Sequence, residues 1–199
     1  MNLLAKTLIS IGCGCVVACA QGTADLDLAH QLGDRETQPA AVNEIVTSGR
    51  DRVPLLLAWT KAAPPQLNDL EVTILNDAIA DIFGQLKVEE AIPYLVKNIG
   101  YQRFPPYPGV IWYKPLPVIE EQLPAMTALI RIGPKAAEAI MRASPWDMGT
   151  EGRQRPSFAV SEIAYTMKDH EKEKSFLKGM LALAESECRF AKEGLKRLE

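Results

Sequence analysis

Apolar residues recur at helical spacing along most of this 199-residue chain, and no segment shows the sustained alternation of apolar and polar residues that marks a half-buried strand. The spacing is clearest near the end of the sequence, where apolar positions three and four apart form one seam over about seven turns of helix. The seam consists of Leu177, Leu181, Ala184, Cys188, Ala191, Leu195 and Leu198. The pattern predicts an all-α fold in which Cys188 is an inert core residue.

Short turns and long connections alternate between the predicted helices. The short turns contain Gly, which suits a helix end, or Pro, which suits a helix start, or a candidate N-cap at Asp169. They lie at 48–50, 84–86, 133–134 and 168–170, and the longer connections lie at 62–69, 100–117 and 144–156. A hairpin of two helices cannot bury its apolar face alone, so about four stacked hairpins sharing one core are predicted.

A short motif recurs around the predicted turns. Ile-Phe-Gly at 82–84 precedes Glu-Ala-Ile-Pro-Tyr-Leu at 90–95, and Gly49 precedes Val-Pro-Leu-Leu at 53–56. The stretch from Leu129 to Pro134, followed by Ala139 and Ile140, repeats the theme without its inner Pro. Over roughly residues 36–143 the chain resembles the HEAT-repeat family. The resemblance implies a single domain at 24–199, folded as a short right-handed α-α solenoid, and a function in protein interaction.

The first twenty residues have the organisation of an export signal. Lys6 is followed by an uncharged, largely apolar run at 7–20, which is too short to cross a bilayer but typical of a signal peptide. Residues 16–19 resemble the bacterial lipobox, in which Cys19 would be lipidated, whereas Ala18 and Ala20 suit ordinary signal peptidase. An uncleaved apolar N-terminus is the third alternative. We favour the lipobox, and expect a membrane-anchored lipoprotein or a periplasmic protein of the cell envelope.

The segment 100–117 is the most distinctive in the chain, because it holds five of the 13 aromatic residues and five of the 14 prolines. It is interpreted either as a stiff contact surface or as a cover for neighbouring helices. Connections between stacked hairpins emerge on one edge, which would gather the Trp residues there. The predicted contacts to a protein or peptide partner are Trp59, Tyr101, Phe104, Tyr107, Trp112, Tyr113 and Trp146.

No group of residues predicts catalysis, a metal or a cofactor. His30 and His170 have no Cys or His at metal-ligand spacing, and nucleophile and phosphate-binding motifs are missing from the sequence. Carboxylate pairs such as Asp77 and Asp81 are interpreted as solvated helix surface. A net charge of −3 gives no basis for strong binding to nucleic acid. A non-catalytic interaction or scaffold module is therefore the predicted function.

Two other functions stay open at this point. One is an enzyme of the lyase or glycosylase type on a HEAT-like fold, which would require an ordered pocket at the Trp edge. A carboxyl with a raised pKa, such as that of Asp147 or Glu151, would have to lie in that pocket. The other is a structural envelope lipoprotein that has no specific partner.

Overall fold

The computed structural model describes residues 23–103, 122–143 and 150–187, and within them the chain forms helices and no strand. The α-helices are α1 (23–33), α2 (Gln38–Ser48), α3 (Val53–Trp59), α4 (Asp69–Gln85), α5 (Ile92–Lys97), α6 (Pro124–Ile132), α7 (Pro134–Ala143), α8 (Thr150–Tyr165) and α9 (His170–Glu187). Two short 3₁₀ helices lie at Arg50–Arg52 and Glu89–Ala91. The prediction of an all-α fold is confirmed for the described residues.

Side-chain caps fix the starts of the two longest helices. At the start of α4 the Asn68 side chain accepts hydrogen bonds from the N–H groups of Leu70 and Glu71, both at 3.0 Å. The Glu71 carboxylate accepts the Asn68 N–H at 2.8 Å, which completes a capping box. At the start of α9 the Asp169 carboxylate accepts the N–H of Lys172 at 3.1 Å, so the predicted N-cap is confirmed.

Two of the predicted turns depend on glycine. Gly49 ends α2 and Gly133 ends α6, with φ angles of 89° and 93° that favour Gly. Pro134 then begins α7, as expected for its fixed φ. The turn predicted at 84–86 lies slightly later in the structure, because α4 continues to Gln85 and the left-handed conformation is taken by Lys87, with φ 49°.

Gly84 lies inside α4, where it allows a close approach between two helices. A Cβ added there would meet the Cα of Ala128 on α6 at 2.7 Å and its Cβ at 3.0 Å. The pair α4 and α6 also forms the most extensive helix contact among the described elements. The sequence has Gly84 at this position because two helices pack closely there, and not because a helix ends there.

The described helices pack mainly against helices two places along the chain. One series of contacts runs from α2 to α4, α6 and α8, and another from α5 to α7 and α9. The helices share one hydrophobic core, whose largest fully buried side chains are Leu32, Leu56, Leu75, Ile79, Ile82, Phe83, Val88, Leu95, Met126, Leu129, Ile140 and Ile163. Within the described ranges no helix has both the length and the apolar composition that crossing a membrane requires.

The side of α9 that faces the core differs from the predicted seam. Leu177 and Leu181 are 36% and 54% exposed. The neighbouring stripe of Phe176, Met180 and Leu183 packs against the core instead. These side chains are on the whole larger than the Leu and Ala of the described part of the seam, so turning this stripe inward buries more apolar surface.

The connection predicted at 144–156 is shorter than the sequence suggested. Helix α8 begins at Thr150 and contains Pro156 in its interior. Gly and Pro in this stretch are poor helix formers, which led to the prediction of a linker. Contacts of α8 with α6, α7 and α9 provide tertiary packing that outweighs this local preference.

Candidate functional site

A buried ion-pair cluster lies where the chain leaves α5. Asp77 of α4 is 2% exposed, and its Oδ2 is 3.6 Å from Nε of Arg103. Asp81, one turn further along α4, accepts a hydrogen bond from Nη2 of Arg103 at 2.8 Å. The interpretation of Asp77 as a solvated surface carboxylate is therefore wrong, because the helix turns this residue inward against Arg103.

The same arginine also joins the two parts of the chain on either side of residues 104–121. The backbone N–H of Arg103 donates to the carbonyl oxygen of Gln122 at 2.8 Å. Residues 103 and 122 are thus neighbours in space, although residues 104–121 separate them in the sequence. The ion pairs of Arg103 attach this junction to α4, so the two residues that flank 104–121 are held at a fixed place on the helical body.

Burial controls the electrostatics of the cluster. It raises the pKa of the Asp77 carboxyl to about 7, with the guanidinium groups of Arg103 and Arg35 lowering it and the charge of Asp81 raising it. Oδ1 of Asp77 has no hydrogen-bond partner in the described part of the chain. Burial also raises the pKa of Tyr94 to about 12, an effect that the charge of Asp77 increases. The phenol is therefore neutral at physiological pH.

A groove of about 670 Å³ lies beside the cluster, between the ends of α3 and α5, the middle of α4 and the start of α6. Its lining includes the polar and aromatic side chains of Lys61, Asn76, Glu90, Tyr94, Lys97, Asn98 and Tyr101. Asp77 does not line this groove. A molecule in the groove would therefore meet aromatic rings, amides, lysines and the Glu90 carboxylate, but not the buried carboxylate of Asp77.

The groove residues on α4 and α5 are held by short polar contacts. The Tyr94 hydroxyl donates to Oδ1 of Asn76 at 3.2 Å, and Nδ2 of Asn98 donates to the Tyr94 carbonyl oxygen at 2.8 Å. The Tyr94 ring meets the Phe83 ring edge-on, with centroids 6.4 Å apart. The hydroxyl of Tyr101 is buried without a hydrogen-bond partner among the described residues. These contacts orient the wall of the groove before any partner arrives.

The structure describes two of the seven aromatic residues predicted as partner contacts. Tyr101 lines the groove and is partly exposed. Trp59 belongs to the hydrophobic core and is 9% exposed, because it shares the buried face of α3 with Leu56. The chain itself thus covers this ring. The other predicted contacts lie outside the described residues and stay predictions: Phe104, Tyr107, Trp112, Tyr113 and Trp146.

Cys19 and Cys188 also lie outside the described residues, as do Asp147 and the side chain of Glu151. The roles assigned to them from the sequence stay predictions.

Sequence reasoning missed Asp77 and Arg103, although α4 carried a usable signal. Between Ile74 and Gly84, most side chains around the helix are apolar and buried. A helix that is apolar on all sides is a buried helix. A charged residue within such a stretch is therefore expected to be paired, as Asp77 and Asp81 are with Arg103.

The described part of the chain offers no metal site. Across the described ranges, no three His, Cys, Asp or Glu side chains come together in a way that could hold a metal ion. His30 contacts Glu71 instead, with Nδ1 and Oε1 3.1 Å apart.

Comparison with known proteins adds no identity. No protein-family model matches the chain, and no curated protein or solved structure is significantly similar to it. Its class therefore follows from its own geometry, which in the described residues is that of an all-α protein with a groove lined by Tyr94 and Tyr101.

Proposed function

We propose that this chain is a non-catalytic interaction module that binds an extended segment of a partner protein in the groove beside Tyr94 and Tyr101. The observation that carries the proposal is the position of the groove at the anchored base of the aromatic segment. Tyr101 lines the groove, and four further predicted contacts follow it in the sequence within 104–121. Aromatic side chains supply large contact area at low conformational cost.

The proposal includes a stacked architecture. The contacts from α2 through α4 and α6 to α8, and from α5 through α7 to α9, connect these helices with the helix two places further on. Such contacts are the ones expected of helical hairpins stacked in two layers, as in a short right-handed solenoid of HEAT type. They support an arrangement of about four hairpins in which long connections follow one edge.

The geometry favours binding over catalysis. A general acid or base must reach the proton that it transfers. Asp77 has a carboxyl that titrates near neutrality, but it is 2% exposed and does not line the groove. We therefore assign Asp77 and Arg103 to the support of the aromatic segment. The alternative is a structural envelope protein that has no specific partner. If the crosslinking experiment below captures nothing in the groove, that alternative is favoured.

The proposed partner can be captured by a photo-crosslinking amino acid placed at Lys97 in the groove, with the same amino acid at the exposed Glu138 of α7 as control. The captured protein is then purified and its dissociation constant is measured by calorimetry. Tyr101→Ala is expected to weaken binding at least tenfold, because buried aromatic contacts commonly supply 2 kcal/mol or more, on the order of thirtyfold in affinity.

A matched control is Tyr165→Ala, which removes a ring that is 74% exposed at the end of α8, and it should leave the affinity unchanged. Trp112→Ala combined with Tyr113→Ala should weaken binding without lowering the melting temperature. Equal crosslinking from both positions, or equal affinity of the Tyr101→Ala and Tyr165→Ala variants, would contradict a binding site in the groove.

We also propose that residues 1–20 direct export to the cell envelope and that Cys19 is lipidated there. Replacing Cys19 with Ala should abolish labelling by a radioactive fatty acid and move the protein from the membrane fraction to the soluble fraction. Cys15→Ala is the matched control and should keep both the label and the membrane association. Unlabelled wild-type protein would show that the lipobox assignment is mistaken.

A further inference from the structure

We infer that the partner segment bound by the groove is acidic and extended. This inference rests on the proposed function and adds to it the chemistry of the ligand. It follows from the lysines and amide groups that line the groove and that the chain's own contacts leave available.

The charges of the groove lining are unbalanced. Lys61 and Lys97 are exposed in the lining, and neither forms an ion pair within the described residues. Glu90, the carboxylate of the same lining, already pairs with Arg50 at 2.7 Å. The chain as a whole carries a net charge of −3, so this excess of free positive charge is local. Carboxylates of a partner would complement it.

The amides of the lining match the main chain of an extended peptide. Oδ1 of Asn76 accepts the Tyr94 hydroxyl, which leaves its NH₂ group as a donor. Nδ2 of Asn98 donates to the Tyr94 carbonyl, which leaves its side-chain oxygen as an acceptor. One donor and one acceptor in the same groove can bind a backbone C=O and N–H of a segment that is not in helical conformation.

The apolar part of the lining favours a peptide over a nucleic acid. The exposed Pro93 contributes apolar surface next to the two tyrosines, and the buried Pro124 and Ala125 lie at the bottom of the lining. Affinity for single-stranded nucleic acid depends on a basic groove that tracks many phosphates. Two lysines supply a few ionic contacts at most, which suits scattered carboxylates on a peptide.

Random linear peptides displayed on phage and selected on the full chain provide the test. Selected peptides should be enriched in Asp and Glu, and their affinity should fall as salt is added. Lys61→Glu combined with Lys97→Glu should weaken binding about tenfold, because exposed ion pairs are individually weak and the variant reverses two charges at once. The matched control, Lys174→Glu with Lys178→Glu, reverses two exposed charges on α9 and should leave binding unchanged.

The possible results separate the two claims. Peptides that depend on Tyr101 but lack acidic residues and ignore the lysine reversal would overturn the inference and leave the proposed function standing. Peptides that ignore both Tyr101 and the lysines, or a selection that yields no binder, would overturn the proposed function as well. Tighter binding of a single-stranded oligothymidylate than of the selected peptides would overturn the assignment to a peptide ligand.

Discussion

Gly84→Ala is expected to lower the free energy of unfolding by about 2 kcal/mol, because the added methyl group has no room between α4 and α6. Its Cβ would lie 2.7 Å from the Cα of Ala128, which belongs to the backbone and cannot rotate away. The helices would have to separate at their most extensive contact. For a chain of this size the melting temperature should fall by about 4–8 °C.

Gly179→Ala is the control that isolates this contact. Gly179 also lies inside a helix, α9, but an added Cβ there would meet no atom within 4 Å. Replacing Gly with Ala in a helix interior stabilises by about 1 kcal/mol when the methyl group fits. Urea unfolding should therefore give changes of opposite sign for the two variants. A stabilising Gly84→Ala would show that α4 and α6 do not approach as closely as described.

Asp77→Asn is expected to stabilise the protein above neutral pH. Burial raises the pKa of Asp77 from its ordinary value of 3.8 to about 7, so the folded state holds its proton more tightly than the unfolded state. Stability contributed by this carboxyl is then fully present below about pH 4 and is lost as the pH rises to about 7. The pKa of Asp77 differs between the folded and unfolded states by about 3, and each tenfold change in an equilibrium is worth about 1.4 kcal/mol. The stability lost is therefore at most about 4 kcal/mol.

The asparagine side chain has nearly the shape of protonated Asp77 and stays uncharged at every pH. The gain from Asp77→Asn should therefore grow from about pH 4 to about pH 7 and stay constant above, which urea unfolding at several pH values would measure. Asp81→Asn is the comparison, because Asp81 is a quarter exposed and accepts a 2.8 Å hydrogen bond from Arg103. That variant should destabilise at about pH 8.5. A destabilising Asp77→Asn at that pH would mean that attraction to Arg103 outweighs the cost of burial.

The parts of the fold that local chemistry controls were predictable from the sequence. The spacing of apolar residues identified the helices, and Gly49, Gly133 and Asp169 marked helix ends that the structure confirms. Gly84 was misjudged because glycine serves equally well at a helix end and at a close helix contact. Only the position of Ala128, distant in the sequence, distinguishes the two uses.

The candidate site was harder to predict, since it depends on which side of each helix faces inward. Tyr101 was identified from its aromatic neighbourhood and lines the groove. Trp59 was selected for the same reason, yet it lies in the core, because composition does not reveal the direction of a side chain. Lys61 and Lys97 are ordinary surface lysines in the sequence, and only the tertiary structure brings the ends of α3 and α5 to one groove.

The hydrogen bond between the Arg103 N–H and the Gln122 carbonyl has a consequence for how this protein can vary. Lengthening the chain between two joined residues costs little entropy, about 0.6 kcal/mol for each doubling. We therefore expect insertions, deletions and replacements between these two residues to be tolerated as long as the hydrogen bond is kept. Proteins related to this chain could therefore change their binding specificity by substitutions between residues 103 and 122, while the sequence of the helices is conserved.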